Sequence, residues 1–385
     1  MVLQIPLSWR QISQERLRLL AAVLGVSFAV LLVFMQLGFS DALFKSAVRY
    51  HENLAYDLVL ISHKTPFIGL AESFSRRRLY QARGAAGVAS VSPVYLRVAP
   101  WRNPWQQEDV RNIFVVGVDP SHVVFRIPEL NEAIERVRVP DVVLFDSASR
   151  PEYGPVAEAF RRDGSVTAEV ANRRIQVAGL FRMGTSFGID GSIVTSDLNF
   201  RRLMPDRSPG HIDLGLIRLE PGADPETVRD VLDATLEDDV LVFTREGFIR
   251  REVRYWATST PIGYVFNFGV FMGLIVGSII VYQIPFADVS EHLSEYATLK
   301  AMGYSDAYLA GVVLQEAAIL AFLGFVPGTF VSFALYRLAA DATMLPLEMS
   351  WTRSTQVLLL IVTMCSVSAL LAVRKLRYAD PAEVM

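Results

Sequence analysis

The segment Leu19–Gly38 reads LLAAVLGVSFAVLLVFMQLG and contains no charged residue. A helix of about twenty residues rises about 30 Å, enough to cross the hydrocarbon core of a bilayer. The run is longer than the apolar region of a secretory signal peptide, and it ends in a polar stretch without a small-residue cleavage pattern. We therefore interpret it as an uncleaved membrane-spanning helix.

Three further apolar runs lie in the second half of the chain, at Ile262–Ile284, Tyr308–Leu335 and Val357–Val373. The third of the four runs is interrupted by Pro327, which predicts a kink. Between the first and the second run the sequence has no comparable apolar stretch, so this long segment is predicted to fold in water. The layout is one spanning helix, a large domain and three more spanning helices.

The predicted fold class is a membrane α-helical protein with four transmembrane helices and a large extracytoplasmic α+β domain. The predicted segments are an N-terminal cytoplasmic stretch at 1–18, spanning helices at 19–40, 261–285, 308–336 and 355–373, the α+β domain at 41–260 with an inserted lobe at about 128–209, a cytoplasmic loop at 286–307, a short external loop at 337–354, and a cytoplasmic tail at 374–385.

Basic residues flank the outermost helices and predict that both chain ends lie in the cytoplasm. These residues are Arg10, Arg16, Arg18, Arg374, Lys375 and Arg377. With four crossings, the large domain is then on the opposite side of the membrane. The connection at 286–307 is acidic, which departs from the usual excess of positive charge on cytoplasmic loops.

Composition excludes several classes of function. The 385 residues are 52% hydrophobic and 20% charged, and the formal net charge of −3 gives no support for nucleic-acid binding. Cys365 is the single cysteine, which excludes internal disulfides and metal sites built from several cysteines. The sequence has no GxxxxGK[ST] motif, so we predict that the chain binds no nucleotide and has no cofactor of its own.

The segment after Tyr56 alternates β-branched runs with short helical patterns. A helix is predicted over Glu72–Arg83, and strands are predicted over Val88–Val98 and Val110–Val118. Asp224 is predicted to cap a helix that begins at Pro225.

Two motifs in this domain have competing interpretations. Gly184–Gly188 fits the GxSxG pattern of a hydrolase, with Ser186 as nucleophile and His211 downstream. The simpler interpretation is a glycine-rich hairpin loop, which is also a candidate contact for a partner. Trp101 and Trp105 form either an exposed aromatic patch for a ligand or a small core beneath a proline-rich loop, which is the interpretation we favour.

Glycines recur every fourth residue in the second spanning run, at Gly269, Gly273 and Gly277. Such a stripe permits close helix packing in a membrane, either within the chain or in a dimer. Charges inside the spanning runs are few, and the candidates for a polar pathway are Asn267, Gln283, Gln315 and Glu316. They are too few to line a solute path, and Glu316 is interpreted as an interface residue.

The acidic loop carries Ser294–Tyr304, SEYATLKAMGY, followed by Gln315-Glu316-Ala317, and the chain ends in RKLRYADPAEVM. With the layout of helices, these motifs resemble the FtsX/MacB-type permeases of ABC exporters. PLSWRQ at 6–11, FMQLGFSDALF at 34–44 and GTSFGIDGSIVTSDLNF at 184–200 are similar to the DevC subgroup in particular.

The resemblance implies a non-enzymatic transport subunit in the inner membrane, with MacB-like porter and sabre lobes in its periplasmic domain. It implies a second permease copy, most simply a homodimer, a cytoplasmic ABC ATPase, a membrane fusion protein and an outer-membrane channel. It also implies export of a lipid or amphipathic substrate, glycolipid-like in the DevC subgroup. The alternative is an FtsX-like regulator that transmits the state of an ATPase to an extracytoplasmic partner.

In such permeases the cytoplasmic loop is a coupling helix that docks on the ATPase. The corresponding residues here are Glu291, Glu295, Leu299, Lys300, Met302, Gly303 and Tyr304. The two glutamates are expected to meet basic residues of the ATPase, and Leu299, Met302 and Tyr304 are expected to be apolar anchors.

Overall fold

The computed structural model describes residues 16–106, 108–291 and 306–378. The chain divides into two compact units, which are a helical unit of Met1–Ala42 with Pro261–Met385 and an α/β unit of Leu43–Thr260. The helices are α1 Arg16–Ala47, α2 Arg49–Asn53, α3 Arg76–Arg83, α4 Pro128–Ala133, α5 Val156–Asp163, α6 Asp197–Leu203, α7 Pro225–Thr235, α8 Arg245–Thr258, α9 Pro261–Glu291, α10 Asp306–Thr343 and α11 Trp351–Tyr378. The strands are β1 Leu58–Ser62, β2 Phe74–Ser75, β3 Val88–Arg102, β4 Val110–Val118, β5 Val142–Asp146, β6 Val166–Val170, β7 Arg173–Phe181, β8 Ser192–Ser196, β9 His211–Ile212, β10 Leu214–Leu219 and β11 Val240–Thr244.

Four helices of the described residues are long and apolar enough to span a membrane, in agreement with the predicted fold class. The candidate spans are Leu19–Ala47, Pro261–Ile280, Ala310–Thr343 and Trp351–Leu371. Helix α10 continues through Pro327 to Thr343 as one helix. In this unit α1, α10 and α11 share an apolar core that includes Val33, Val313 and Ile361.

The α/β unit is built on one large sheet in the order β11-β1-β10-β3-β4-β8-β5-β7-β6. Most neighbours are antiparallel, whereas β4–β8 and β5–β7 are parallel. The last strand also pairs with the far end of β3, through Trp101↔Val170 and Arg102↔Glu169. The strands β3, β4, β8, β5, β7 and β6 are therefore paired in a closed ring, which we call the strand ring.

The strand ring includes all four strands of the predicted insertion at about 128–209. This segment supplies β5 to β8 and joins the rest of the sheet where β8 pairs with β4 and where β6 pairs with β3. One sheet thus runs through both parts of the unit. The lobe boundaries stay a prediction.

Apolar side chains cover both faces of the sheet, so its central strands are buried on both sides. Alternate residues of β1 show the pattern, with Leu58 and Leu60 in one hydrophobic cluster and Val59 and Ile61 in the other. Trp101 belongs to the first cluster and is fully buried.

Two local predictions need correction. The helix predicted over Glu72–Arg83 begins only at Arg76, because Ser75 caps it and Phe74–Ser75 forms a short strand with β9. The core interpretation holds for Trp101, whereas Trp105 remains 46% exposed.

The predicted cap is confirmed, since the Asp224 carboxylate accepts the Thr227 N–H at 2.9 Å.

Candidate functional site

The glycine stripe of α9 faces α1 within the same chain. Gly273 lies in ordinary contact with α1, because an added Cβ would be 3.6 Å from the Leu32 Cβ. An added Cβ at Gly277 would be only 2.7 Å from the Ala29 Cβ, and at Gly269 it would overlap the Gln36 side chain. The absence of side chains at these positions lets α9 approach α1 closely. A seam to a second copy stays a prediction.

A second pair of glycines packs on the same helix from α10. An added Cβ at Gly328 would lie 2.8 Å from the Ser27 carbonyl oxygen, and one at Gly324 would lie 2.5 Å from the Val26 Cβ. The Ser27 hydroxyl also donates to the Gly324 carbonyl at 3.0 Å. Helix α1 is thus held closely by two neighbouring helices, so its movement must be shared by both.

Polar side chains connect three helices near Ala42, where the chain leaves the helical unit. Arg353 of α11 is only 7% exposed, donates to the Asp41 carboxylate of α1, and lies 5.7 Å from the ring centre of Tyr336. The Tyr336 hydroxyl of α10 donates to the Phe34 carbonyl of α1. A buried guanidinium requires such partners, since an unpaired buried charge is costly. This group fixes the ends of α1, α10 and α11 to one another.

The predicted polar residues of the spanning runs differ in their exposure. Asn267, Gln283 and Gln315 are exposed on the surface of the helical unit. Glu316 is buried, at 3% exposure, beside the α10 residues that pack into the core. That these residues do not line a solute path stays a prediction.

The α/β unit begins and ends with short helices, α2 and α8, which we call the linker helices because they follow α1 and precede α9. His51 of α2 and Glu252 of α8 are fully buried, and His51 Nε2 lies 3.3 Å from Glu252 Oε2. Glu252 also accepts the Ile68 N–H at 3.2 Å and the Trp256 indole N–H at 3.0 Å. The His51 ring packs against Phe248 at 4.3 Å between ring centres. We call this group the linker joint.

The linker joint was not found from the sequence. His51 has no metal-ligand spacing, and Glu252 lies among arginines, as on any solvated helix face. The available signal is that α8 places Phe248, Glu252 and Trp256 at four-residue intervals on one face, and all three are buried.

The comparison with protein families matches nearly the whole chain. The model described as MacB-like periplasmic core domain matches residues 19–235, and the model described as FtsX-like permease C-terminal matches residues 267–381. The chain belongs to the MacB/FtsX-like ABC transporter permease family. Permeases of this family are transport subunits that work with a cytoplasmic ATPase.

Two solved structures are similar to part of this permease. The periplasmic region of MacB from Actinobacillus actinomycetemcomitans is 8% identical, with a TM-score of 0.35 over 53% of this chain and 94% of that chain. The extracellular domain of the transporter YknZ from Gram-positive bacteria is 10% identical, with a TM-score of 0.32 over 49% of this chain and 99% of that chain. No curated protein matches the sequence.

The predicted coupling residues of the permease lie mostly outside the described residues. These are Glu295, Leu299, Lys300, Met302, Gly303 and Tyr304, whereas Glu291 is the last residue of α9. Their role stays a prediction.

The hydrolase interpretation of Gly184–Gly188 is wrong for this permease. A nucleophile elbow requires a helix directly after the serine, but Ser186 lies in a tight turn that leads to strand β8. His211 lies on β9 and pairs with Ser75. Among the described residues no group of three His, Cys, Asp or Glu side chains is placed to hold a metal.

Proposed function

We propose that this chain is the permease subunit of an ABC exporter, in which a separate cytoplasmic ATPase drives movements of the extracytoplasmic domain. The linker joint carries the proposal. His51 and Glu252 tie the helix that follows α1 to the helix that precedes α9, and both side chains are buried. A displacement of α1 and α9 would therefore enter the domain as one rigid-body movement.

The cargo is a lipid or another amphipathic molecule, glycolipid-like as the similarity to the DevC subgroup implies. The polar candidates of the described spanning helices support this choice, because Asn267 on α9 and Gln315 on α10 are exposed and belong to different helices. A polar solute needs a path that is lined by ionisable or polar groups near the middle of the membrane. A lipid can reach the domain from the bilayer without such a path.

The assembly would contain two permease copies, most simply identical, together with the ATPase, a membrane fusion protein and an outer-membrane channel. The permease would lie in the inner membrane with both ends in the cytoplasm and with MacB-like porter and sabre lobes in the periplasm. ATP would be bound by the partner, and the permease itself would carry no cofactor and catalyse no reaction.

The proposed docking is tested by replacing Leu299 and Met302 together by aspartate. Two buried charges at an apolar interface should abolish co-purification of the ATPase in mild detergent. Leu198→Asp is the matched control, because Leu198 is 64% exposed on the α/β unit. ATPase recovery equal to wild type in the double variant contradicts the docking role.

An FtsX-like regulator is the alternative function, and the FtsX-like match over residues 267–381 supports it equally. The two functions differ in what is lost with the gene. If the chain is an exporter, deletion of its gene leaves a specific lipid on the inner side of the envelope, and the protein co-purifies with a periplasmic adaptor. If the chain is a regulator, deletion of its gene leaves the lipids unchanged and alters the activity of an extracytoplasmic partner.

A further inference from the structure

The glycine-rich loop forms a tight turn that presents one aromatic residue. The Ser186 N–H donates to the Ile189 carbonyl at 2.9 Å, and the Ile189 N–H donates back at 3.0 Å. Gly188 takes φ +82°, a conformation that glycine adopts at little cost. Phe187 is thereby placed at the tip, where its ring meets the ring of Trp256 edge-on at 4.6 Å. Trp256 belongs to the linker helix α8.

The start of this loop is fixed to the strand ring. Asp146, at the end of β5, is fully buried. Its carboxylate accepts the N–H groups of Met183 at 3.1 Å and Gly184 at 2.8 Å. A buried carboxylate held by backbone donors cannot leave its place without exposing unsatisfied groups.

The end of the loop is fixed to the same ring. The Arg150 guanidinium lies 2.7 Å from the Asp190 carboxylate. The Gly191 carbonyl accepts the Phe114 N–H of strand β4 at 2.9 Å. The loop is therefore a rigid projection of the ring, with both of its ends hydrogen-bonded to ring strands or their flanks.

The other linker helix contacts the same loop. Arg49 of α2 donates to the Thr185 carbonyl at 2.7 Å, and its guanidinium fills the space beside Gly184. The next residue, Tyr50, packs edge-on against Phe114 at 5.1 Å, and His51 belongs to the linker joint. Three consecutive residues of α2 thus contact the loop, the sheet and the second linker helix.

The position of the linker helices in the chain shows why this contact matters. Helix α2 leads directly to β1, and β11 leads directly to α8, and these two strands form the open end of the sheet. The backbone therefore connects the linker helices to one end of the sheet, whereas strands β5 to β8 lie at the other end. The loop connects that other end directly to both linker helices.

We infer that the loop Gly184–Gly188 is a strut between the strand ring and the linker helices, and that Arg49, Phe187 and Trp256 transmit the displacement of the linkers to the ring. This inference rests on the proposed function, because it states how a movement of the spanning helices reaches the far part of the domain. The strut moves with the linker helices and does not open during the cycle.

The contact itself is tested by hydrogen exchange on the full permease in lipid nanodiscs. Phe187→Ala and Arg49→Met should each accelerate exchange at residues 184–189 by about tenfold, because the loop loses one of its two contacts with the linker helices. Leu198→Ala and Arg174→Met are the matched controls, since both residues are exposed. Unchanged exchange at the loop in both test variants overturns the strut.

The transmission is tested with a reversible cross-link. Cys365 is buried and is the single native cysteine, so Cys365→Ala gives a clean background for Phe187→Cys with Trp256→Cys. The permease with its co-purified ATPase is compared with and without ATP and vanadate, and exchange is read at strands β5 to β8.

We expect the nucleotide-dependent change in these strands in the wild type and in the oxidised double-cysteine protein. We expect it to fall at least fivefold in Phe187→Ala and after reduction of the cross-link. Transmission through the strut is overturned if the nucleotide-dependent change persists in Phe187→Ala and after reduction of the cross-link. It is also overturned if the cross-link abolishes the change. Absence of any change in the wild type refutes both transmission and the proposed function, while the exchange measurement without nucleotide still decides the contact.

Discussion

At the scale of single residues, Asp141 shows most directly how charge stabilises the α/β unit. Its carboxylate accepts from Arg173 Nε at 2.6 Å and from Arg202 Nη2 at 2.9 Å. These two hydrogen bonds, that of Arg173 first, lower the pKa of Asp141 well below its ordinary value of 3.8. A carboxyl group whose pKa is lower in the folded state stabilises that state at every pH above the ordinary value.

We predict that Asp141→Asn lowers the free energy of unfolding by about 1 kcal/mol at pH 7. Asparagine retains the backbone, since residue 141 has φ 62°, which asparagine adopts readily. The difference from wild type should stay constant down to about pH 4 and then shrink, because below that pH the carboxyl group takes up a proton in the unfolded chain while it is still charged in the folded one. Thermal melting of the purified permease between pH 3 and pH 7 measures it.

The control is Asp206→Asn, whose side chain is 74% exposed and 3.9 Å from Arg97. It should change stability little at any pH. If the difference for Asp141→Asn instead grows as the pH falls, the assigned direction of the pKa shift is wrong.

At the scale of elements, the packing of α9 on α1 depends on which glycine is replaced. An added Cβ at Gly277 meets the Ala29 Cβ, which is fixed to the backbone of α1, so the two helices must separate. We predict that Gly277→Ala destabilises the helical unit by about 1–3 kcal/mol, as overpacking does in a filled core. The thermal unfolding of the permease in detergent is the measurement.

Gly273→Ala is the matched control on the same face of α9. Its new Cβ would be 3.6 Å from Leu32 and 3.9 Å from Val33, which is ordinary contact. We expect no loss of stability or a small gain, since alanine also favours the helix. Equal destabilisation by both substitutions would contradict the packing described for the stripe.

The elements differ in how far the sequence predicts them. The spanning helices follow from composition alone, because long uncharged runs have few alternatives in water or lipid. The cap at Asp224 follows from local chemistry. The start of α3 does not, because Phe74–Ser75 becomes a strand only through pairing with Ile212 and His211, which are distant in sequence. The linker joint is missed for the same reason, as His51 and Glu252 are 201 positions apart by their numbers.

At the scale of the whole molecule, the side of the membrane on which each segment lies can be measured directly. In a Cys365→Ala background, Lys300→Cys should react with a membrane-impermeant maleimide only after cells are permeabilised. Leu198→Cys should react once the outer membrane alone is opened, because Leu198 is 64% exposed on the α/β unit. Labelling of Lys300→Cys while the inner membrane is intact would show that the predicted topology is inverted. No cytoplasmic ATPase could then dock at this loop.

The closure of the strand ring is the part of the whole fold that the sequence does not predict. Individual strands such as Val88–Val98 and Val110–Val118 are recognisable from their β-branched residues, and the structure has them at Val88–Arg102 and Val110–Val118. Closure depends on the additional four residues of β3, which bring Trp101 opposite Val170. The proline-rich context of Trp101 favours a loop, whereas in the fold this segment pairs with β4 and β6 and its indole packs against Phe145 and Tyr153.

Strand β3 belongs to two structures at once. Its first half pairs with β10 in the open sheet, and its last residues close the ring with β6. If either β10 or β6 separated, β3 would have unpaired amide and carbonyl groups while it still paired with the other strand. The domain can therefore be expected to melt in a single cooperative step, although its strands come from segments that look separable in the sequence.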